Sequence, residues 1–353
     1  MASAKSIVGI GMSGGTDSSL AAYLLAEQGC EVRGFTLRLW HEASTKSSDA
    51  HIERAQRVAA KLGIAHQVVD LSEEFLARIV TPFVEEYASG RTPSPCVCCN
   101  VRVKFGLMLE LAREAGCSSL ATGHYVRTRR NPSGRIGLCR GLDGTKDQSY
   151  FLAGLSQEQL AHARFPLGEM VKSAVKQRAD ALGLIPHSQA ESQDLCFIPD
   201  GDCAAFLCRL RPDLGRPGLI VTVAGEELGT HPGAYRYTIG QRRGLGLSGG
   251  PWYVVRTDLA QNLVVVGQCS DLLAREVRLS GFNWVGVAPA VELDVLAQLR
   301  YNMKPVPACL RMSSETDGTL VFAAPISAVT PGQFAVAYAG DEVVGGGWIE
   351  GGN

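Results

Sequence analysis

Two cysteine-bearing segments and one glycine loop carry the residue types that do chemistry in this chain. The stretch Thr92-Pro93-Ser94-Pro95-Cys96-Val97-Cys98-Cys99-Asn100 places three thiols in four positions behind two prolines, on a loop leading into a helix with Lys104 and Phe105. A thiol at a helix N-terminus near basic residues has a lowered pKa and is partly thiolate at neutral pH, so Cys99 is a candidate nucleophile. Cys96 and Cys99 also have C-x-x-C spacing, which suits a metal or an iron–sulfur cluster if other ligands come from afar. The distant candidate is Cys196, in Glu191-Ser192-Gln193-Asp194-Leu195-Cys196-Phe197-Ile198, where apolar neighbours equally suit a core position. Cys98 fits either role. Cys30, Cys117, Cys139, Cys203, Cys208, Cys269 and Cys309 lack such context and read as packing residues.

The glycine loop is Gly11-Met12-Ser13-Gly14-Gly15-Thr16-Asp17-Ser18-Ser19. Gly14 and Gly15 let successive N–H groups converge, and a helix N-terminus behind them adds positive potential, so the loop suits a phosphate. Ser13 and Ser18 offer hydroxyl donors. No Gly-Lys-Ser/Thr follows, which excludes a Walker A loop. Asp17 beside phosphates is repulsive unless it caps the helix or bridges to a metal, which points to Mg²⁺.

These groups need a scaffold. The 353 residues are 46% hydrophobic and 20% charged, enough for two or three globular domains with sizeable cores. Short β-rich runs at Ser6–Gly11, Glu31–Leu37, His66–Asp70 and Ser119–Thr122 alternate with helical patterns at Ser18–Gln28, Asp49–Leu62, Ser72–Ala88 and Val101–Ala115. That alternation predicts an α/β fold, a doubly wound parallel sheet. Weaker helical patterns at Gln157–Ala163 and Val171–Leu182 extend the first domain to residue 210. From Gly215 the texture turns to Gly, Val and short alternating runs, including Tyr235–Ile239, Trp252–Arg256 and Leu263–Val266, with a hairpin turn expected at Gly225–Gly229. Residues 211–275 read as a central β-rich domain and 276–353 as a small β-barrel. No apolar run is long enough to span a membrane, and no signal sequence precedes the loop, so a cytoplasmic location is expected. A net charge of −1 gives no global hint of nucleic acid. The arginines of Val126–Arg140, together with Arg242, Arg243, Lys172, Lys176 and Arg178, suit either an RNA phosphate track or a solvated basic surface.

Ser13-Gly14-Gly15-Thr16-Asp17-Ser18 resembles the signature of the PP-loop ATP pyrophosphatases, which cleave ATP between the α and β phosphates and adenylate a substrate oxygen. The cysteine segments narrow this. Together with Thr122-Gly123-His124-Tyr125, Lys146 to Leu152, Tyr237 to Gly246, Arg300-Tyr301, and Val329 to Gln333 with Gly345-Gly346-Gly347, they are similar in order to the bacterial tRNA-specific 2-thiouridylase family, over nearly the whole chain. That resemblance implies thiolation at C2 of the wobble uridine of tRNA. It implies ATP on Gly11 to Ser18, with Leu37 and Gly123 near the adenosine. It makes Cys196 the persulfide-bearing cysteine and Cys99 its nucleophilic partner, with sulfur supplied by a donor protein or sulfide. Ser94, Pro95 and Cys96 would lie near the target base. His124, Lys146, Asp147, Gln148, Arg300, Tyr301 and Gln333 would contact tRNA.

One position departs from the family pattern. Many members carry Asp where this chain has Cys96, and a thiol with a pKa of about 8.5 cannot inherit an acid's role. Two alternatives follow: Cys96 is a modest substitute in a persulfide route, or Cys96, Cys99 and Cys196 hold an iron–sulfur cluster. The rival functions are a PP-loop synthetase or amidotransferase that adenylates a small molecule, and a non-catalytic RNA-binding module.

Overall fold

The computed structural model describes residues 6–41, 49–184, 195–286 and 290–352. Five parallel strands form the first sheet: β1 (Ile7–Gly11), β2 (Glu31–Arg38), β3 (Ala65–Asp70), β4 (Ser119–Ala121) and β7 (Ala163–Arg164), in the order β3-β2-β1-β4-β7. Val8 and Ile10 on β1 are fully buried, as expected for a central strand with both faces covered. Helices α1 (Thr16–Glu27) and α2 (Ala50–Leu62) follow their strands in the expected alternation. On α2, Ile52, Ala55, Val58 and Ala59 face the core, and Gly63 at φ 66° ends the helix in the left-handed conformation.

The region expected as one helix at Ser72–Ala88 is three pieces: α3 (Ser72–Phe75), a π-type turn at Leu76–Val80, and α4 (Thr81–Ala88). Pro82 has no N–H to donate to the carbonyl four residues back, and the backbone widens just ahead of it. Helix α5 (Pro95–Cys99) likewise runs through a π-type stretch, Asn100–Leu107, into α6 (Met108–Glu114). Downstream, the hairpin β5 (Val126–Arg130) and β6 (Ile136–Arg140) precedes α7 (Ser149–Leu152), α8 (Gln157–His162), α9 (Lys172–Ala181) and α10 (Cys203–Leu210).

A four-stranded sheet follows, made of β8 (Gly218–Thr222), β9 (Glu227–His231), β10 (Tyr253–Asp258) and β11 (Leu263–Gly267). The hairpin turn lies at 223–226, so Glu227 to Gly229 already belong to β9. Tyr235–Ile239 is no strand: Ala234–Arg236 is a 3₁₀ turn. The alternation of Tyr235 and Tyr237 is satisfied by burial in two different clusters, one under α10 and one in this sheet.

The last strands are β12 (Leu273–Trp284), β13 (Glu292–Gln298), β14 (Val306–Met312), β15 (Gly318–Ser327), β16 (Phe334–Ala339) and β17 (Glu342–Gly352). They pair in the order β12-β15-β14-β13-β16-β17, and β12–β17 pairing closes a six-stranded barrel. The hairpin β5–β6 adds to the barrel through β17. One hydrophobic core is shared by both: Phe105, Leu109 and Tyr150 pack in the same cluster as Phe334, Tyr338 and Val343. No helix among the described residues is long and apolar enough to cross a membrane.

Candidate active site

The glycine loop leaves the C-terminal end of β1 and enters α1, with its hydroxyls drawn inward. Ser13 N–H donates to Ser18 Oγ at 3.2 Å, the two hydroxyls stand 3.2 Å apart, and Ser19 Oγ donates to the Gly15 carbonyl at 2.8 Å. Gly14 has φ 69°, and a Cβ there would run into the His51 carbonyl oxygen at the start of α2. Gly123 is required for closeness instead, because a Cβ there would sit 2.8 Å from the Ser18 nitrogen. Met12 is buried, its N–H on the Phe35 carbonyl and its carbonyl accepting from Thr36 Oγ1. Thr16 opens α1, and Leu37 lies half-buried on β2 at the same edge of the sheet.

Asp17 is neutralised from within the protein. Lys172 Nζ stands 2.7 Å from each carboxylate oxygen, and Tyr125 donates its hydroxyl to Oδ1 at 2.7 Å. The backbone N–H of Lys172 donates to Asp143 Oδ2 at 2.9 Å, which fixes the start of α9 against the loop. Lys172 therefore belongs to the phosphate loop, not to a surface cation track, and it supplies the counter-charge for which the sequence suggested only capping or a metal. Arg54 Nε also reaches the loop, 3.3 Å from the Gly14 carbonyl oxygen.

The thiols gather on the other side of the domain's helices. Cys96 and Cys99 share one face of α5 at i, i+3 spacing. Leu195 and Cys196 lead into Phe197 and Ile198, which are buried against Phe75, Phe83 and Phe206. The apolar neighbours of Cys196 are thus core residues, while Cys196 itself is exposed. The remainder of its motif, 191–194, lies outside the described residues. Cys196 feels the charges of Cys99 and Cys96, and Lys104 acts on all three thiols. Cys96 and Cys196 are exposed and Cys99 is half-buried.

The expected lowering of the Cys99 pKa is not found. Burial pushes the Cys99 thiol up and outweighs Lys104, and Cys99 closes the short helix, three residues beyond Cys96, instead of sitting at its N-terminus. Cys196 is pushed up to about 12, first by burial and then by Cys99 and Cys96. All three are thiols at neutral pH. All eleven cysteines are free. Among the described residues no set of three or more Cys, His, Asp or Glu side chains stands at metal-ligand spacing, so the three thiols as placed do not form a ready cluster site. Lys104, five residues beyond Cys99 and marked in the sequence only as a basic neighbour, lowers the pKa of all three thiols against the effect of burial.

His124 is buried against Phe105 and Phe165, with Nδ1 2.7 Å from Thr122 Oγ1, and burial followed by Lys104 holds its pKa well below the usual range. Ser94 caps α5 and bonds with Tyr150, whose hydroxyl also donates to the Phe334 carbonyl at 2.5 Å. Pro95 is buried as the first residue of α5. Asp147 is buried, its carboxylate committed to Arg140, the Gly141 N–H and Ser149. Gln148 Oε1 accepts from the Tyr125 N–H at 3.0 Å, and Lys146 between these elements is half-buried. Tyr301 packs on Phe151 with ring centroids 4.4 Å apart, beside exposed Arg300. Gln333 Nε2 donates to the Thr92 and Pro93 carbonyls at 2.8 and 3.2 Å, so the barrel grips the loop that leads to the thiols. The basic hairpin is spent on the barrel as well: Arg127 pairs with Asp341, Arg129 with Glu342, and Arg135 donates to the Trp284 and Val285 carbonyls. Arg129 and Arg130 remain exposed to solvent on this hairpin.

A parallel sheet with a glycine loop at the C-terminal end of its central strand defines a HUP-type domain, and two β modules follow it. The models of the tRNA methyl transferase HUP domain, its PRC-barrel domain and the aminomethyltransferase β-barrel domain match residues 6–200, 204–268 and 274–349. The chain is 46% identical over 343 residues to the tRNA-specific 2-thiouridylase MnmA of Syntrophotalea carbinolica, covering 96% of this chain and 97% of that one. It is 44% identical to MnmA of Geobacter metallireducens, over 98% and 97% of the two chains, and 46% identical to MnmA 2 of Thermoanaerobacter sp. strain X514, over 97% of each. The chain belongs to the tRNA-specific 2-thiouridylase family.

Proposed function

We propose that this chain uses ATP to thiolate C2 of the wobble uridine in tRNA. What supports the reading is family membership together with a glycine loop at the end of β1 and a Cys99 near enough to Cys196, nearly a hundred residues away in sequence, to raise its pKa. Gly11 to Ser18 would hold the triphosphate, with Leu37 and Gly123 toward the adenosine. Magnesium would enter with ATP as part of the substrate, meeting Asp17 at the loop.

The uridine C2 oxygen attacks the α-phosphorus, pyrophosphate leaves, and the N3 proton is lost. Adenylation makes the C2 oxygen a good leaving group, as AMP. A donor protein that itself carries a persulfide passes its outer sulfur to the Cys196 thiolate and leaves as a thiolate, and the terminal sulfur of the Cys196 persulfide so formed attacks C2 as AMP departs. The Cys99 thiolate then attacks the inner Cys196 sulfur. The bond between the two sulfurs breaks, the outer sulfur stays on C2, and a Cys99–Cys196 disulfide forms that an external thiol reduces. Lys104 favours the thiolate at each stage. In this reading sulfur passes through the thiols alone.

The test is AMP release with ATP and defined tRNA transcripts. A transcript with the wobble uridine supports AMP formation, and one with cytidine there does not. AMP formation driven by a small metabolite without tRNA would instead favour a PP-loop synthetase.

A further inference from the structure

The helix that carries Cys99 has a second flank. Away from Cys96, helix α5, helix α4, the loop through Pro93 and strand β17 enclose a cleft of about 280 Å³. Its walls include Arg78, Arg91 and Arg102, the rings of Phe83 and Trp348, and the side chain of Cys98. Arg91 is committed inside the protein, 2.8 Å from Glu86 and 2.7 Å from Glu350, and these are the two acids of the cleft. Arg78 and Arg102 are exposed, and neither has a carboxylate at ion-pair distance among the described residues. Arg102 Nη1 donates to the Arg78 carbonyl oxygen at 3.3 Å, which holds the Arg102 guanidinium beside the Arg78 backbone. Trp348 meets Phe334 edge to face, so it is braced by one ring while lining the cleft with its own.

We propose that this cleft receives one nucleotide of the substrate RNA beside the target base, with its phosphate on Arg78 and Arg102 and its base against Trp348. The proposal rests on the reading of the chain as a tRNA-modifying enzyme. Cys98, which lines the cleft, adjoins Cys99 on α5, so the cleft lies next to the segment that carries the thiols. Single-stranded RNA is held by neutralised phosphates and by bases lying on aromatic faces, and the cleft offers one of each. Small-ligand sites begin at about 300 Å³, so the space suits one nucleotide and no more. A protein-docking surface would be broad with an apolar centre, unlike this small cationic recess.

The test uses the full-length chain, Arg78→Ala/Arg102→Ala, and anticodon stem-loop RNAs carrying one abasic nucleotide on either side of the target uridine. ATP affinity and thermal unfolding confirm that the variant is folded, and Arg102→Glu gives a second variant. The expected result is RNA binding weakened at least tenfold, with a salt slope shallower by about 0.7 for each phosphate that no longer meets an arginine. An abasic site at one flanking position weakens wild-type binding at least threefold and the double variant hardly at all. Wild-type binding and salt slope in the variants would overturn the cleft assignment alone, whereas a wild type that binds no tRNA would overturn the functional reading and the cleft with it. A loss seen only with sulfur from a donor protein, and absent with inorganic sulfide, would show that the cleft docks the donor, which also overturns the proposal.

Discussion

Lys172 and Lys104 set the charge balance of the two reacting regions, one at the phosphate loop and one among the thiols. Replacing Lys172 with Met leaves Asp17 with only the Tyr125 hydroxyl, beside phosphates that repel it. A charge-assisted hydrogen bond is worth about 1.5–3 kcal/mol, so Lys172→Met should lower pyrophosphate release at fixed ATP by roughly ten- to a hundredfold. A pyrophosphate assay checks this. Around the thiols, burial raises the pKa and Lys104 opposes it. Sulfur transfer should therefore accelerate as pH rises from neutral, and Lys104→Met should move that rise to higher pH, as read by iodoacetamide labelling of Cys99 against pH. His124 shifts the other way, its pKa lowered by burial, and bears on stability. Its folded pKa lies well below 6.5, so its contribution is complete above that value and is lost as pH falls toward the folded pKa. Denaturant melts between pH 7 and pH 5 should show the loss, and His124→Gln should flatten it.

At the scale of elements, the loop from Arg91 to Pro95 is held by the barrel as much as by its own domain. Thr92 N–H donates to the Pro331 carbonyl, Gln333 reaches back to Thr92 and Pro93, and Arg91 bridges to Glu350. Gln333→Ala removes the donor from two carbonyls, at a cost of about 1–3 kcal/mol. It should lower the melting temperature and depress thiolation more than AMP formation, since the loop carries the thiols and not the phosphate site. The parallel sheet and its loop were legible in the sequence because strand and helix periods alternate there and Ser13 to Ser18 is a dense local motif. The six-stranded barrel was legible as β texture but not in its pairing. The role of Gln333 was not legible, since its partners lie some 240 positions away. The same holds for Lys172 and Asp17, and for the ion pairs of the basic hairpin with Asp341 and Glu342. The pKa of Cys99 was misjudged because local sequence reports nearby charge but not desolvation.

The whole molecule behaves as one folded unit around a core that crosses its parts. Phe105, Leu109 and Tyr150 from the sheet domain pack with Phe334, Tyr338 and Val343 from the barrel. Removing residues 274–352 would expose that apolar face, so the truncated chain should aggregate or lose cooperative unfolding, measurable by light scattering during a thermal melt. The central claim is that adenylation and sulfur transfer are separate steps on separate residues of this one frame. It is tested most directly by a single turnover of ATP, a persulfide-bearing sulfur donor and tRNA on the wild type, Cys99→Ser and Cys196→Ser, with AMP and 2-thiouridine measured together. The account predicts AMP from all three proteins and 2-thiouridine from the wild type alone. Normal 2-thiouridine from either variant, or loss of AMP formation together with the thiol, would contradict it.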